Sequence, residues 1–162
     1  MIDLEAIVTR LAHGKVEFVI VGGVAATVHG SSYITNDLDI CYARDKLNIE
    51  VLAETLAPLN PGLRGAPSEL RFIWDAETLR KGLNFTLRTD LGDLDLLGEI
   101  TGIGAYDQVR DAAIKVILFG VECSVISLDK LIVAKRAAGR DKDRLVLPEL
   151  EALLEATKEQ TE

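Results

Sequence analysis

The sequence predicts an α+β protein, a mixed β-sheet with flanking helices, and three observations predict it. Helical spacing recurs near both ends: Leu4, Ile7, Val8 and Leu11 share one face, as do Leu128, Leu131 and Ile132. Short apolar runs lie between them, among them the strand pattern VEFVIV at 16–21. Two longer runs, 83–97 and 113–126, turn back across a glycine as hairpins do. Lone strands, hairpins and helices in one chain fit a single mixed sheet covered by helices. With 162 residues, 48% hydrophobic and 27% charged, the chain has the length of one domain, 1–162, and a globular composition.

Each element has a local reason. Residues 3–13 form a helix that Asp3 caps and Gly14 ends. The strand 16–21 runs into Gly22-Gly23, and VAATVHG makes a short helix ending at Gly30. A polar loop, 31–36, leads to a second strand, 37–42. Asp45 caps a helix reaching about Leu56, and 58–67, with three Pro and two Gly, reads as loop. A short helix covers 76–81. Strands at 83–89 and 93–97 flank the turn Asp90-Leu91-Gly92, and a glycine-rich link at 98–104 precedes a short helix near 105–109. Strands 113–119 and 121–126 close around Gly120. Ser127 caps a helix over 128–138 that Gly139 closes. Pro148 suits the first turn of a last helix, 148 to about 158.

Charge and cysteine content exclude several functions. The net charge is −8, whereas a large non-specific nucleic-acid footprint needs a basic surface. Five Glu against one Lys in 149–162 place half of that excess at one end, which leaves room for a local basic patch elsewhere. Cys41 and Cys123 lie among apolar residues without a CxxC spacing, so they read as buried free thiols in a reducing, cytoplasmic setting. No run of 18 apolar residues exists, so no membrane span is expected. Asp3 and Glu5 stand where a signal peptide is basic.

Three features carry chemistry. Gly22-Gly23 lets the backbone turn tightly between strand and helix and aims N–H groups at any anion placed there; the alternative is a plain turn. It matches neither GxGxxG nor a Walker loop. In Asp37-Leu38-Asp39-Ile40 the strand period turns both carboxylates to one face and both apolar residues to the core. Two like charges there repel each other, and a bound divalent cation such as magnesium reverses that cost. The alternative is a pair of acids on the wet face of an edge strand, although Asp is depleted in strands. Asp93-Leu94-Asp95-Leu96 repeats the alternation, with Asp95 the candidate third metal-facing carboxylate and Asp93 a turn acid.

Cations gather at Lys135, Arg136, Arg140, Lys142 and Arg144. Lys135 sits beside the inward stripe of its helix and reaches over the sheet to a phosphate, or else snorkels into water. Arg140, just past Gly139, faces an anion or is a solvated cation at a helix end. Both are candidate nucleotide-binding residues. His13, His29, Phe72 and Trp74 read as structural.

Together these residues resemble the signature of the DNA polymerase β-type nucleotidyltransferase superfamily: a hydrophobic strand ending in Gly-Gly, a short helix, then Asp-hydrophobic-Asp-hydrophobic. Thirteen residues separate Gly23 from Asp37, within that family's usual window. Among its members the chain looks like the small bacterial nucleotidyltransferases, including AbiEii-like and toxin-type groups, which also read Gly-Gly. The stretches 92–98 and 127–143 extend the resemblance to about 16–155. It implies a polymerase β palm-like fold. It also implies that Gly22 and Gly23 hold a nucleoside triphosphate, ATP or another, through backbone N–H groups. Asp37 and Asp39 would bind two magnesium ions, and Asp95 would ligate one of them and help activate the attacking hydroxyl. The implied reaction transfers a nucleoside monophosphate from the triphosphate to an acceptor: a small-molecule hydroxyl, a protein side chain or an RNA end. One departure stands out. Relatives often show Arg-x-Thr-x-Asp before the first carboxylate, where this chain reads Tyr33-Ile34-Thr35-Asn36-Asp37, and a Ser beside Gly23 is absent. The alternatives are a toxin of a toxin–antitoxin system acting by the same chemistry, and a non-catalytic nucleotide- or partner-binding module. A homodimer or an antitoxin-like protein would then complete the acceptor site.

Overall fold

The computed structural model describes residues 1–67 and 69–161, with the side chain of 161 excepted. Helix α1 spans Leu4–His13, and the Asp3 carboxylate accepts from Ala6 N, as its position predicts. Strand β1 (Phe18–Val21) is buried along its length and passes directly into α2 (Gly22–Val28). Strand β2 (Asp37–Tyr42) has the predicted bounds, and α3 (Lys46–Leu56) starts on the Asp45 cap. The strand β1 is two residues shorter than its apolar run, because Val16 N bonds back to Leu11 O and the Glu17 main chain is bonded to the Asn48 side chain.

The Pro- and Gly-rich stretch is not all loop. It holds a single 3₁₀ turn at Ala57–Leu59 and a two-residue strand β3 (Gly62–Leu63), followed after α4 (Ala76–Lys81) by β4 (Phe85–Thr89) and β5 (Gly92–Leu97). The glycine-rich link likewise carries two short strands, β6 (Glu99–Ile100) and β7 (Gly104–Ala105), paired with each other ahead of α5 (Tyr106–Asp111). Such two-residue strands have no period to read. Strands β8 (Ala113–Leu118) and β9 (Val121–Ile126) form the expected hairpin, and α6 (Leu128–Ala138) ends at Gly139 in the left-handed region, φ 64°. The Ser127 hydroxyl makes no capping bond, contrary to expectation.

The last helix departs most. Helix α7 runs Asp141–Thr161 with Pro148 inside it rather than at its start. A proline there removes one helical hydrogen bond and costs about 3 kcal/mol. Side-chain contacts offset this. Val146 and Leu150 enter the core, and Leu153 and Leu154 pack against it. At the amino-terminal end the Asp143 carboxylate accepts from Arg140 N at 3.1 Å, which starts the helix seven residues upstream of the proline.

Seven strands form one mixed sheet in the order β3-β4-β5-β2-β1-β9-β8. The expected α+β architecture is therefore present. Its central pairs are β1 with β2, antiparallel, and β2 with β5, parallel. The parallel register sets Asp37 opposite Asp93, Leu38 opposite Leu94, and Asp39 opposite Asp95. Leu38, Ile40, Leu94 and Leu96 are fully buried on one face, so the period of two turns all four acids to the other. The predicted thiols, Cys41 and Cys123, are both buried and unpaired by any disulfide. Among the described residues no helix is long and apolar enough to cross a membrane.

Candidate active site

The end of β1 sets the site's geometry. Gly22 has φ +66°, and a Cβ built on it would fall 2.1 Å from Asp39 Oδ2. Glycine is therefore required twice, by conformation and by space. At Gly23 a Cβ would meet the Thr35 side chain at 2.8 Å, so the loop before β2 lies directly on the glycine pair. Thr35 Oγ1 donates to Asp37 Oδ1 at 2.9 Å and fixes the rotamer of the first carboxylate.

That loop is also tied to α7. The Glu149 carboxylate accepts from Ser31 Oγ, from Ser32 Oγ at 2.6 Å and from Ser32 N at 3.2 Å. Tyr33, which stands where relatives often carry arginine, donates its hydroxyl to Leu145 O at 3.2 Å. Its role in this structure is thus to brace the loop.

Asp37, Asp39 and Asp95 converge. Each offers an oxygen, and the three oxygens lie within 4.8 Å of one another. Asp39 stands in the middle strand, between Val21 and Asp95, and its Oδ1 is buried without a hydrogen-bond partner among the described residues. Burial pushes the Asp39 carboxyl from 3.8 up to about 7, and the charges of Asp37 and Asp95 add to it against the opposing pull of Lys135. A buried anionic oxygen with no donor is a costly arrangement in an isolated protein. It fits a hard divalent cation, which takes carboxylate oxygens.

A pH dependence follows. The folded protein holds the Asp39 proton more tightly than the unfolded chain does, so this group's contribution to stability is greatest below about pH 4. It is lost as pH rises to about 7. Between about pH 5 and about pH 8, in chelator, wild type should lose roughly 1–3 kcal/mol relative to Asp39→Asn. Saturating divalent cation should remove most of that difference. Thermal melts of both proteins at the two pH values measure it.

Two charged residues in the site escape sequence reading. Arg64, from the stretch read as loop, lies 2.7 Å from Asp95 Oδ1 and 3.6 Å from Asp93 Oδ2. Asp93 is therefore one partner of an ion-pair network rather than a lone turn acid. Asp143 is 0% exposed and accepts from Lys135 Nζ at 3.2 Å and Arg140 Nε at 2.8 Å. Burial works to raise its carboxyl, but the hydrogen bonds from Arg140 and Lys135 outweigh that and hold it below the usual carboxylate range. Lys135 thus neither snorkels nor stands alone; it is 14% exposed and ion-paired. Lys135, Arg140, Gly22 and Asp39 line a common cavity of about 400 Å³, whose apolar wall includes Leu131 and Ile100.

The remaining candidates are structural, as the sequence suggests. The His29 ring contacts Ile126 O at 2.7 Å through Nε2. Trp74 Nε1 donates to Ala53 O at 2.9 Å, and Phe72 packs on the core. His13 is exposed at the end of α1.

No family model and no curated protein matches the sequence. Solved structures do. The lincosamide antibiotic adenylyltransferase LnuA, in its lincomycin-bound crystal structure, is similar with a TM-score of 0.60 and 15% identity, over 93% of this chain and 95% of that one. A proposed nucleotidyltransferase from Thermotoga maritima is similar with a TM-score of 0.57 and 18% identity, over 92% and 94% of the two chains. The chain thus has the fold of these nucleotidyltransferases.

Proposed function

We propose that this protein is a magnesium-dependent nucleotidyltransferase that moves a nucleoside monophosphate from a nucleoside triphosphate to a hydroxyl-bearing acceptor. The observation that carries this reading is the convergence of Asp37, Asp39 and Asp95 on two adjacent parallel strands, beside Gly22 and with one buried carboxylate oxygen unsatisfied. Their placement in a nucleotidyltransferase fold supports it.

Asp37, Asp39 and Asp95 are the residues that would hold two magnesium ions. Once bound, these would neutralise charge on the phosphate oxygens and lower the pKa of the attacking hydroxyl. Thr35 holds Asp37 in the orientation the cluster requires. Asp95 keeps the oxygen that Arg64 leaves open for the cluster and so helps activate the attacking hydroxyl, whose proton passes to solvent. Gly22 and Gly23 would offer main-chain N–H groups to the triphosphate from a turn in which Asp39 and Thr35 leave no room for a side chain. Lys135 and Arg140, oriented by Asp143, draw the departing pyrophosphate toward the cavity. The acceptor oxygen attacks the α-phosphorus in line, the bond to pyrophosphate breaks, and nucleoside monophosphate remains on the acceptor.

A cavity of about 400 Å³ suits a nucleoside or one small molecule. The likeness to LnuA, a lincosamide antibiotic adenylyltransferase with lincomycin bound, supports a small molecule as acceptor. A toxin role would use the same chemistry on a macromolecule.

The test uses nucleotides radiolabelled at the α-phosphate, with magnesium and a cell extract. Label should move to one acceptor class, require divalent cation, and vanish in the Asp37→Asn, Asp39→Asn double variant. Titration calorimetry with ATP, GTP, CTP and UTP should show metal-dependent heat. Labelling that survives in the double variant would mean that the site is elsewhere.

A further inference from the structure

We propose that Arg64 is an internal counter-cation for Asp95, a positioning residue that partly neutralises the metal-free acidic cluster and so makes uptake of divalent cation depend on nucleotide. The inference rests on the reading of Asp37, Asp39 and Asp95 as metal ligands. Arg64 is built into place at both ends. Its main-chain N–H donates to Thr86 O at 2.9 Å, continuing the β3–β4 pairing in which Leu63 faces Leu87. Its guanidinium donates through Nη1 to Leu87 O at 3.0 Å and through Nη2 to Asp95 Oδ1 at 2.7 Å, with Asp93 Oδ2 at 3.6 Å from Nη1. The side chain is 30% exposed and that of Asp95 21%, so this fork is partly shielded from water.

Two consequences follow from that placement. One oxygen of Asp95 is already engaged by a cation, which leaves the other for the cluster. A unit positive charge also stands at hydrogen-bond distance from a ligand carboxylate, where it repels an incoming divalent ion. A nucleoside triphosphate reverses the balance. It brings several negative charges and the phosphate oxygens that magnesium prefers as its remaining ligands. Cation and nucleotide are then taken up together, and the empty site does not collect adventitious metal.

Binding of Mn²⁺, followed by loss of the free-ion signal in electron paramagnetic resonance, tests this without an acceptor. Wild type should bind Mn²⁺ weakly alone and more tightly with ATP. R64Q and R64L should bind Mn²⁺ about tenfold more tightly than wild type in the absence of ATP, with the gap closing once ATP is added. R64K keeps the charge and should stay near wild type. In turnover, R64Q should lower kcat more than it changes the KM for nucleotide, since Asp95 loses its alignment. The proposal is overturned if the folded neutral variants bind Mn²⁺ no more tightly than wild type, or if R64K tightens binding as much as they do. Unfolding of both neutral variants, which would make Arg64 an element of the fold, overturns it too. Asp37→Asn separates the two levels. If it binds Mn²⁺ as wild type does, with or without ATP, the metal-ligand reading fails together with the proposal. If it abolishes binding while R64Q changes nothing, only the proposal fails.

Discussion

Asp39→Asn should abolish nucleotidyl transfer, by more than about a thousandfold, and yet yield a metal-free protein that melts higher than wild type at neutral pH. The two effects have one cause. Asp39 occupies the middle strand of the sheet, between β1 and β5, with Asp37 and Asp95 beside it and Oδ1 without a hydrogen-bond partner among the described residues. Three carboxylates in that space repel one another. Asparagine is nearly isosteric, removes one negative charge and adds an amide that donates to its acidic neighbours. The fold therefore gains, while the shared cation loses a ligand. Label transfer and thermal melts on the same preparation measure both. A variant that loses activity and stability together would show that Asp39 serves the fold, and one that keeps activity would remove it from the site.

Gly22→Ala should lower transfer by about a hundredfold or more and destabilise the protein by roughly 2–4 kcal/mol. At φ +66° any side chain is strained, by about 1 kcal/mol. The larger penalty is steric, because the new methyl would lie 2.1 Å from Asp39 Oδ2 and 3.0 Å from Asp39 Cβ. Asp39 has to swing away or the β1–α2 turn has to open, and either movement disperses the carboxylates. Gly65→Ala is the matched control. Its φ of +79° is equally unfavourable, but nothing lies within 4 Å of the added Cβ. It should cost about 1 kcal/mol and leave transfer intact. Chemical denaturation and initial rates on both variants decide the matter. Equal behaviour of the two would mean that strain alone, not the collision with Asp39, limits substitution at Gly22.

What the sequence makes legible here is what has a period. The Asp-Leu alternations at 37–40 and 93–96 reveal two strands and the face their acids share, and the structure places them side by side in register. The register itself is not local information: nothing in either run says that β2 pairs with β5 and in parallel. Arg64 illustrates the same limit more sharply. It sits in a Pro- and Gly-rich stretch and meets Asp95 across 31 positions of chain. Only the pairing of a two-residue strand brings it there. Nothing local in the run 140–144 singles out Asp143, yet it is the buried acceptor that orients both Lys135 and Arg140. Thr35 carries no signal of its own in the sequence, and its hydroxyl contact with Asp37 depends on how the loop folds back. Pro148 lies inside α7 for a physical reason. A proline usually marks the first turn, but packing by Val146 and Leu150 and the Glu149 contacts outweigh one lost main-chain bond.

The fastening of the 31–36 loop by Glu149 and by the carbonyl of Leu145 also sets an order in time. Both anchors belong to the final helix, more than a hundred positions downstream of the serines and tyrosine they hold. During synthesis the strands emerge from the ribosome well before those anchors do. A nascent chain thus exposes Ser32 and Tyr33 before the groups that accept from them exist, and the loop is fastened only after residues 145–149 have been made.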